Sequence, residues 1–351
     1  MKHHKAVITG LLVILFLNAF MDSAAQNPLD MFDAETDTGY IRKFPKALTV
    51  KTYVKSKILS LGVEDHVGDY ELNYEPNGHN SLGFSLNYKW IGFGFGFNVI
   101  DEAEIERYGE TSYFDFQTNF YLRRGTFDIF YQKYKGFYLE NTAAMVKGWP
   151  DDETYIIRPD IEVVSSGVNY THVFNPEKFS YIASYSQTEV QKKSAGSVIL
   201  GATVNFHRAA ADSSFVPSNL VYDDAFLNNN MTYVKGWTTN ARFGYAHTLV
   251  ALKKLFLSLS LDAGMSYVYS VFDETAGKRS TNFSVNPNVS FKLAAGYNHN
   301  RWFAGLTSSS FYHLNKTGGE ESYIRIIYGY VNFVLAHRFM LREEIPIPGF
   351  K

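Results

Sequence analysis

Residues 254–272 read Lys-Leu-Phe-Leu-Ser-Leu-Ser-Leu-Asp-Ala-Gly-Met-Ser-Tyr-Val-Tyr-Ser-Val-Phe. The odd positions from Leu255 run through Leu257, Leu259, Leu261, Ala263, Met265, Tyr267 and Tyr269 to Val271, without a charge. Between them stand Ser258, Ser260, Asp262, Gly264, Ser266 and Ser270. A period of two places these sets on opposite faces of a β-strand, whereas a helix would scatter the serines around its circumference. Strands of soluble proteins run about 5–6 residues, and a tilted strand needs about 9–11 to cross a bilayer. The stretch is therefore read as one stave of a transmembrane β-barrel, apolar outside and wet inside.

The rest of the chain agrees. Aromatics make up 17% of its 351 residues, which suits two interfacial girdles. Mean hydropathy is only −0.18, because half of every such strand is polar. A helical membrane protein would carry several apolar runs of about 20 residues. Here a single apolar run exists, Ala6 to Phe20, short for a membrane span, behind Lys2, His3, His4 and Lys5 and ahead of Ser23-Ala24-Ala25. It reads as a secretory signal over residues 1–25, cleaved before Gln26. Removing it takes away Lys2, Lys5 and Asp22, which makes the chain one charge more negative than its full-length −2. That balance does not suit a nucleic-acid partner. The absence of cysteine excludes disulfides and thiolate metal sites.

Residues 26–47 read as an irregular periplasmic leader. Its carboxylates Asp30, Asp33, Glu35 and Asp37 match no calcium-loop spacing. Alternation begins at Leu48 and recurs to about residue 341, followed by a short tail over 342–351. Asn175-Pro176-Glu177 is read as a turn between staves at about 161–174 and 178–190. Residues 70–75 form a weak strand. Near Gly329 the apolar phase moves from even positions (Ile324, Ile326, Tyr328) to odd ones (Val331, Phe333, Leu335), which suggests a β-bulge. The count is 12 to 14 strands, depending on 70–75 and on merging. With 14, the 136–160 loop falls on the periplasmic side, an unusual place for a long loop.

Four segments, Asp37-Thr38-Gly39-Tyr40-Ile41, Tyr88-Lys89-Trp90-Ile91-Gly92, Phe174-Asn175-Pro176-Glu177-Lys178-Phe179 and Gln191 to Ser197, together resemble an uncharacterised family of outer-membrane barrel proteins from Bacteroidota, known as a domain of unknown function. The resemblance implies location and architecture and supplies no active residues.

Candidates for chemistry are few. Gly92, Gly94 and Gly96 look like a nucleotide loop, but they alternate with phenylalanines and no helix follows; they are inward strand positions. None of the strand-associated histidines His172, His207, His247, His299, His313 and His337 has a serine two residues on, so the local pattern of a lipid hydrolase is missing. No metal motif is present, and no cofactor is implied. The informative residues are charges in polar phase: Lys51, Lys55, Lys57, Asp115, Asp128, Arg242, Asp262 and Lys292. On the lipid face Lys or Arg would cost about 2–4 kcal/mol near the midplane, so these line the lumen. They either tune a hydrated pore or form internal ion pairs that brace the wall. The expected protein is a bacterial outer-membrane barrel in contact with lipid and its insertion machinery, passing or binding a small solute. The alternatives are a structural or surface-interaction barrel working through residues 208–236 and a lipid hydrolase.

Overall fold

The computed structural model describes residues 34–345 except 66–69, 79, 90, 99–101, 150–154, 219, 221–225, 227–230, 275, 276, 278 and 314–321; the predicted signal segment lies outside the described residues. The strands are β1 (Ile41–Lys43), β2 (Ala47–Asp65), β3 (Tyr70–Glu75), β4 (Asn80–Tyr88), β5 (Ile91–Asn98), β6 (Ser112–Tyr121), β7 (Gly125–Leu139), β8 (Ile156–Val173), β9 (Glu189–Gln191), β10 (Ala195–Ala210), β11 (Met231–Ala251), β12 (Leu255–Glu274), β13 (Arg279–Asn298), β14 (Trp302–His313) and β15 (Ser322–Met340). Two short helices, α1 (Glu102–Tyr108) and α2 (Thr142–Met145), sit in loops. No helix of the described residues is long and apolar enough to cross a membrane.

All the pairings are antiparallel. β7, β8 and β10 to β15 pair in succession, and β15 pairs with β2 from Ser322↔Asp65 to Met340↔Ala47. β2 then pairs with β3 at its upper end, and β3 meets β7 through Tyr74↔Leu139 and Glu75↔Tyr138. The result is a closed antiparallel β-barrel whose hydrogen-bonded ring has ten strands. Lower down, β2 pairs with β4 in nearly the register it kept with β3, so β3 and β4 are one stave interrupted at residues 76–79. β5 pairs with β4 and β6 with β7, filling the wedge beneath the β3–β7 contact. Counting β3 and β4 together gives twelve staves, the lower of the expected counts.

The alternation is inside out relative to a soluble protein. On β12, Leu261 is 57% exposed and its neighbour Ser260 is 2% exposed. The same holds for Phe243 against Arg242 and for Val289 against Asn288. Side chains turned to the lumen are packed, and those turned outward are bare and apolar. Leu252 and Lys253, both with positive φ, lie in the three-residue turn, 252–254, between β11 and β12.

Two sequence readings are corrected. The phase change near Gly329 is no bulge, because β15 keeps one unbroken register with both β14 and β2. The apolar side itself changes. Phe333 and Leu335 face outward and are exposed, whereas Ile324 and Ile326 face inward and are buried. β2 does the same, with Val54 and Ile58 outside, then Leu61 and Val63 inside. Strands of 15–21 residues exceed a bilayer crossing, so their upper thirds stand in water, where apolar groups belong in the core. Charge on the outside marks this upper zone: Lys133 pairs with Glu162 at 2.9 Å, Arg208 also pairs with Glu162, and Arg325 pairs with Glu64 at 2.9 Å.

The second correction concerns residues 178–190, which are not a stave. After Val173 the chain turns and enters the base of the barrel, where residues 179–191 are buried throughout. Ile182–Ser186 form one π-helical turn, and β9 pairs with β1, so part of the expected leader is ordered against this insert. A stave here would have carried Glu189 and Gln191 in the same phase as Phe179 and Tyr181, facing lipid. With this segment removed from the wall the stave count is even, so β2 begins and β15 ends at the base; with β3 and β4 as one stave, the 136–160 loop rises at the opposite rim.

Candidate functional site: a lumen closed at both ends

The upper lumen is filled by an apolar core. Leu61, Val63, Leu72, Phe137, Leu139 and Ile161 converge there, and Phe215 and Phe226 from the segment after β10 complete it. The Tyr74 hydroxyl donates to the Phe215 carbonyl, and the Phe226 N–H donates to Asp65 at 2.9 Å. The described parts of residues 208–236 thus close the barrel from above.

The base is closed by the insert. Arg123, at the turn between β6 and β7, donates to Pro176 O at 2.9 Å, to Phe179 O at 2.8 Å and to Glu189 Oε2 at 2.6 Å. Ser180 Oγ donates to the same Glu189 oxygen at 2.6 Å. Arg338 on β15, 1% exposed, donates to Gln187 O at 2.7 Å and to Asn298 Oδ1 at 2.7 Å, and also reaches Glu189 O and His299 O. Asn298 Nδ2 donates to Ala183 O at 2.9 Å. The planar, multidentate guanidinium suits this role, since one side chain can satisfy several carbonyls of an irregular segment.

Between the two closures lies a polar layer, and the structure places all eight sequence-selected charges on the lumen side. Six of them form three pairs. Lys57 meets Asp115 at 2.9 Å, Lys292 meets Asp128 at 2.9 Å, and Arg242 pairs with Asp262. Lys292 belongs to β13 and Asp128 to β7, so that pair spans the lumen. Asp115 also accepts from Gln117 Nε2 at 2.9 Å and from the Tyr134 hydroxyl at 2.8 Å. Lys51 is buried and donates to Tyr185 O of the insert at 3.4 Å. Lys55 lies over the rings of Tyr330 and Tyr53, 5.0 and 5.7 Å from their centres. A cavity of about 50 Å³ remains in this layer, lined by Gln117, Asn119, Asp128, Gln132, Asn169 and Tyr330 among others.

Of the glycines read as inward, Gly96 faces the Tyr53 ring, as does Gly83 on the neighbouring β4. A Cβ on Gly83 would stand 2.2 Å from that ring, so the wall is bare where Tyr53 lies against it. Among the histidines, His207 Nδ1 is 3.1 Å from Ser165 Oγ inside the upper lumen, but its Nε2 has no hydrogen-bond partner, so no carboxylate orients the ring as a general base would require. His337 packs edge-on against Trp302 and Phe339, and His247 stacks on Tyr245, both outside near the base, where an aromatic girdle is expected. Among the described residues no group of three His, Asp or Glu could hold a metal ion.

This architecture, from the first residues of the base tether to the end of β15, coincides with one family model, described as a domain of unknown function, DUF4421, which matches residues 35–340. The chain belongs to the DUF4421 family. No curated protein matches it. Among solved structures, this DUF4421 barrel is similar to the outer membrane protease OmpT of Escherichia coli, at 10% identity and TM-score 0.35, over 84% of this chain and 97% of that one. It is similar to the toluene transporter TodX of P. putida at 8% identity and TM-score 0.23, over 85% and 91% of the two chains. It is similar to the COG4313 outer membrane channel of Pseudomonas putida F1 at 9% identity and TM-score 0.23, over 90% and 100%. Likenesses this distant carry no argument about activity.

Arg123, Arg338 and Glu189 were not selected from sequence. Arg123 reads as turn punctuation. Arg338 does carry a signal, since it continues the inward phase of Val334 and Ala336.

Proposed function

We propose that this barrel resides in a bacterial outer membrane and binds a small solute in its lumen, passing it only when the base insert moves. The observation that carries the reading is the polar layer held between an apolar ceiling and a packed insert. A barrel serving only as a wall has no need of a polar cavity lined by Gln117, Asn119, Asp128, Gln132 and Asn169. The insert is fastened by hydrogen bonds, the Arg123–Glu189 ion pair and the packing of Phe179, Tyr181, Ile182 and Tyr185 rather than by a ladder shared with the wall, a form of closure that can be released without breaking the barrel. Surface interaction through residues 208–236 has less support, because Phe215 and Phe226 of that segment are spent on closing the lumen.

Planar-bilayer recording tests the proposal. The wild-type chain gives no steady conductance, and a chain with residues 179–191 replaced by a Gly/Ser linker conducts in discrete steps. In that conducting background, replacing Lys51, Lys55 and Lys57 with glutamate shifts ion preference from anions towards cations. A silent linker chain that inserts normally would defeat the reading.

A further inference from the structure

β5 and β6 lie side by side, yet among the described residues no ladder joins them: β5 ends the sheet path on one side, and β6 pairs only with β7. Each strand therefore presents an unpaired edge at the height of the outward apolar band. In hydrocarbon, free backbone groups are tolerated only where they border a wet cavity or protein. Both flanks of the seam are aromatic and bare. Phe93 is 76% exposed, Phe95 and Phe97 are each 64%, and Phe114 and Phe116 are 59% and 51%. On the lumen side β5 carries glycines at 92, 94 and 96, so it adds no side chain of its own at these positions; Asn87 and Ser85 of β4 and Tyr53 of β2 reach over them. The top of the seam is sealed, with Asn77 Nδ2 donating to Gly109 O at 2.9 Å and Thr111 Oγ1 donating to Gly136 O at 2.8 Å. Directly behind stand Lys55, Lys57, Asp115 and Gln117. Asp115 is fully engaged by Lys57, Tyr134, Gln117 and Gln132. Lys55 lies over aromatic rings and feels the Asp115 charge only at longer range; among the described residues no carboxylate stands within ion-pair distance of its ammonium.

We infer that the β5–β6 seam is a lateral doorway between the bilayer and the lumenal chamber, and that its ligand is a single-chain amphiphile with an anionic head. The alkyl chain lies along the phenylalanine flanks, and the head passes between the strand edges to the Lys55 ammonium. The axial route is closed above and below, so entry from the side reconciles a filled barrel with a chamber that binds something. The inference deepens the proposed function and rests on its chamber.

The chain has no cysteine, which makes a bridging test clean. Gly96→Cys and Gln117→Cys place thiols on the two sides of the seam; a Cβ at Gly96 makes only ordinary contacts. The full chain in phosphatidylethanolamine nanodiscs is photolabelled with a diazirine palmitate. Saturable labelling of β5, β6 and lumen residues is expected, with palmityl alcohol competing at least tenfold more weakly than palmitate. Lys55→Gln weakens palmitate at least tenfold. Joining the two cysteines with a bis-maleimide abolishes lumen labelling while heat-modified gel mobility, a sign of an intact barrel, is unchanged. Stronger competition by lysophosphatidate than by palmitate would assign a phosphate head from membrane lipid; the reverse assigns a free carboxylate. Unsaturable labelling spread around the barrel, or lumen labelling that survives bridging, overturns the doorway. If that happens while the linker chain still conducts, the chamber stands alone; a silent linker chain with saturable, bridge-sensitive labelling removes axial passage and leaves the doorway.

Discussion

Lys292 and Asp128 meet across the lumen at 2.9 Å, although they stand on β13 and β7, with four other staves, β8 and β10 to β12, between them on one side of the wall. Their contact fixes the distance between opposite walls and divides the lumen into an upper and a lower part. The Lys292 ammonium also lies 6.0 Å from the centre of the Tyr181 ring, so the pair touches the base insert.

Removing one partner leaves the other charge without compensation in a poorly solvated place. Truncation from a buried pair costs about 3–5 kcal/mol. The side chains here keep 10% and 16% exposure, so we expect about 2–4 kcal/mol for Lys292→Ala or Asp128→Ala. The double variant Lys292→Met/Asp128→Leu should recover most of that loss. Urea titration in lipid vesicles checks both, and a double variant no better than the singles would show that the pair is not the cause.

The strands were legible where one side met lipid and the other met the lumen, as along β12, since both environments enforce a period of two. Legibility failed where a third environment intervened. At Gly329 the outer environment changes from lipid to water, and the apolar face moves inward without any change in register. A break in pattern was therefore read as a break in backbone. Residues 178–190 alternate as a stave does, but their polar phase is enclosed by other protein rather than by lumen water, and the polar Gln187 and Glu189 in line with Phe179 betray it. The lumenal charges were legible because lipid forbids them. Their partners were not, because pairs such as Lys292 and Asp128 are set by barrel closure over 164 residues.

The insert should be held chiefly by Arg123. Hydrogen bonds to charged groups contribute about 1.5–3 kcal/mol each, and Arg123 makes two with the insert and a third with Pro176 at its approach. Arg123→Ala is expected to open residues 179–191 to proteinase K and to produce intermittent conductance in planar bilayers. Arg123→Lys should give an intermediate result, because an ammonium cannot reproduce the planar set of donors. Protection and silence equal to wild type in Arg123→Ala would move the fastening to Arg338.

Gly264 sits on β12 with the β11 backbone close against it. A Cβ there would stand 1.9 Å from Ala241 O and 2.8 Å from Ala241 C, and these are backbone atoms that cannot rotate away. Gly264→Ala must push two paired strands apart, at about 1–3 kcal/mol for overpacking of this kind. Gly96→Ala, with its nearest atom 3.4 Å away, should be nearly neutral. Unfolding midpoints of the two variants in one lipid compare them directly.

The orientation of the wall gives the sharpest contrast. Leu261 is 57% exposed midway along β12 and Leu252 is 82% exposed in the turn at the base, so exposure alone ranks Leu252 as the barer of the two. In water, arginine at either site would be tolerated. In a bilayer the penalty depends on depth, about 2–4 kcal/mol at the midplane and about 0–1 kcal/mol near an interface. Leu261→Arg should therefore lose stability by the larger figure in vesicles, while Leu252→Arg stays near wild type. Equal effects of the two substitutions in vesicles would place β12 outside the hydrocarbon layer.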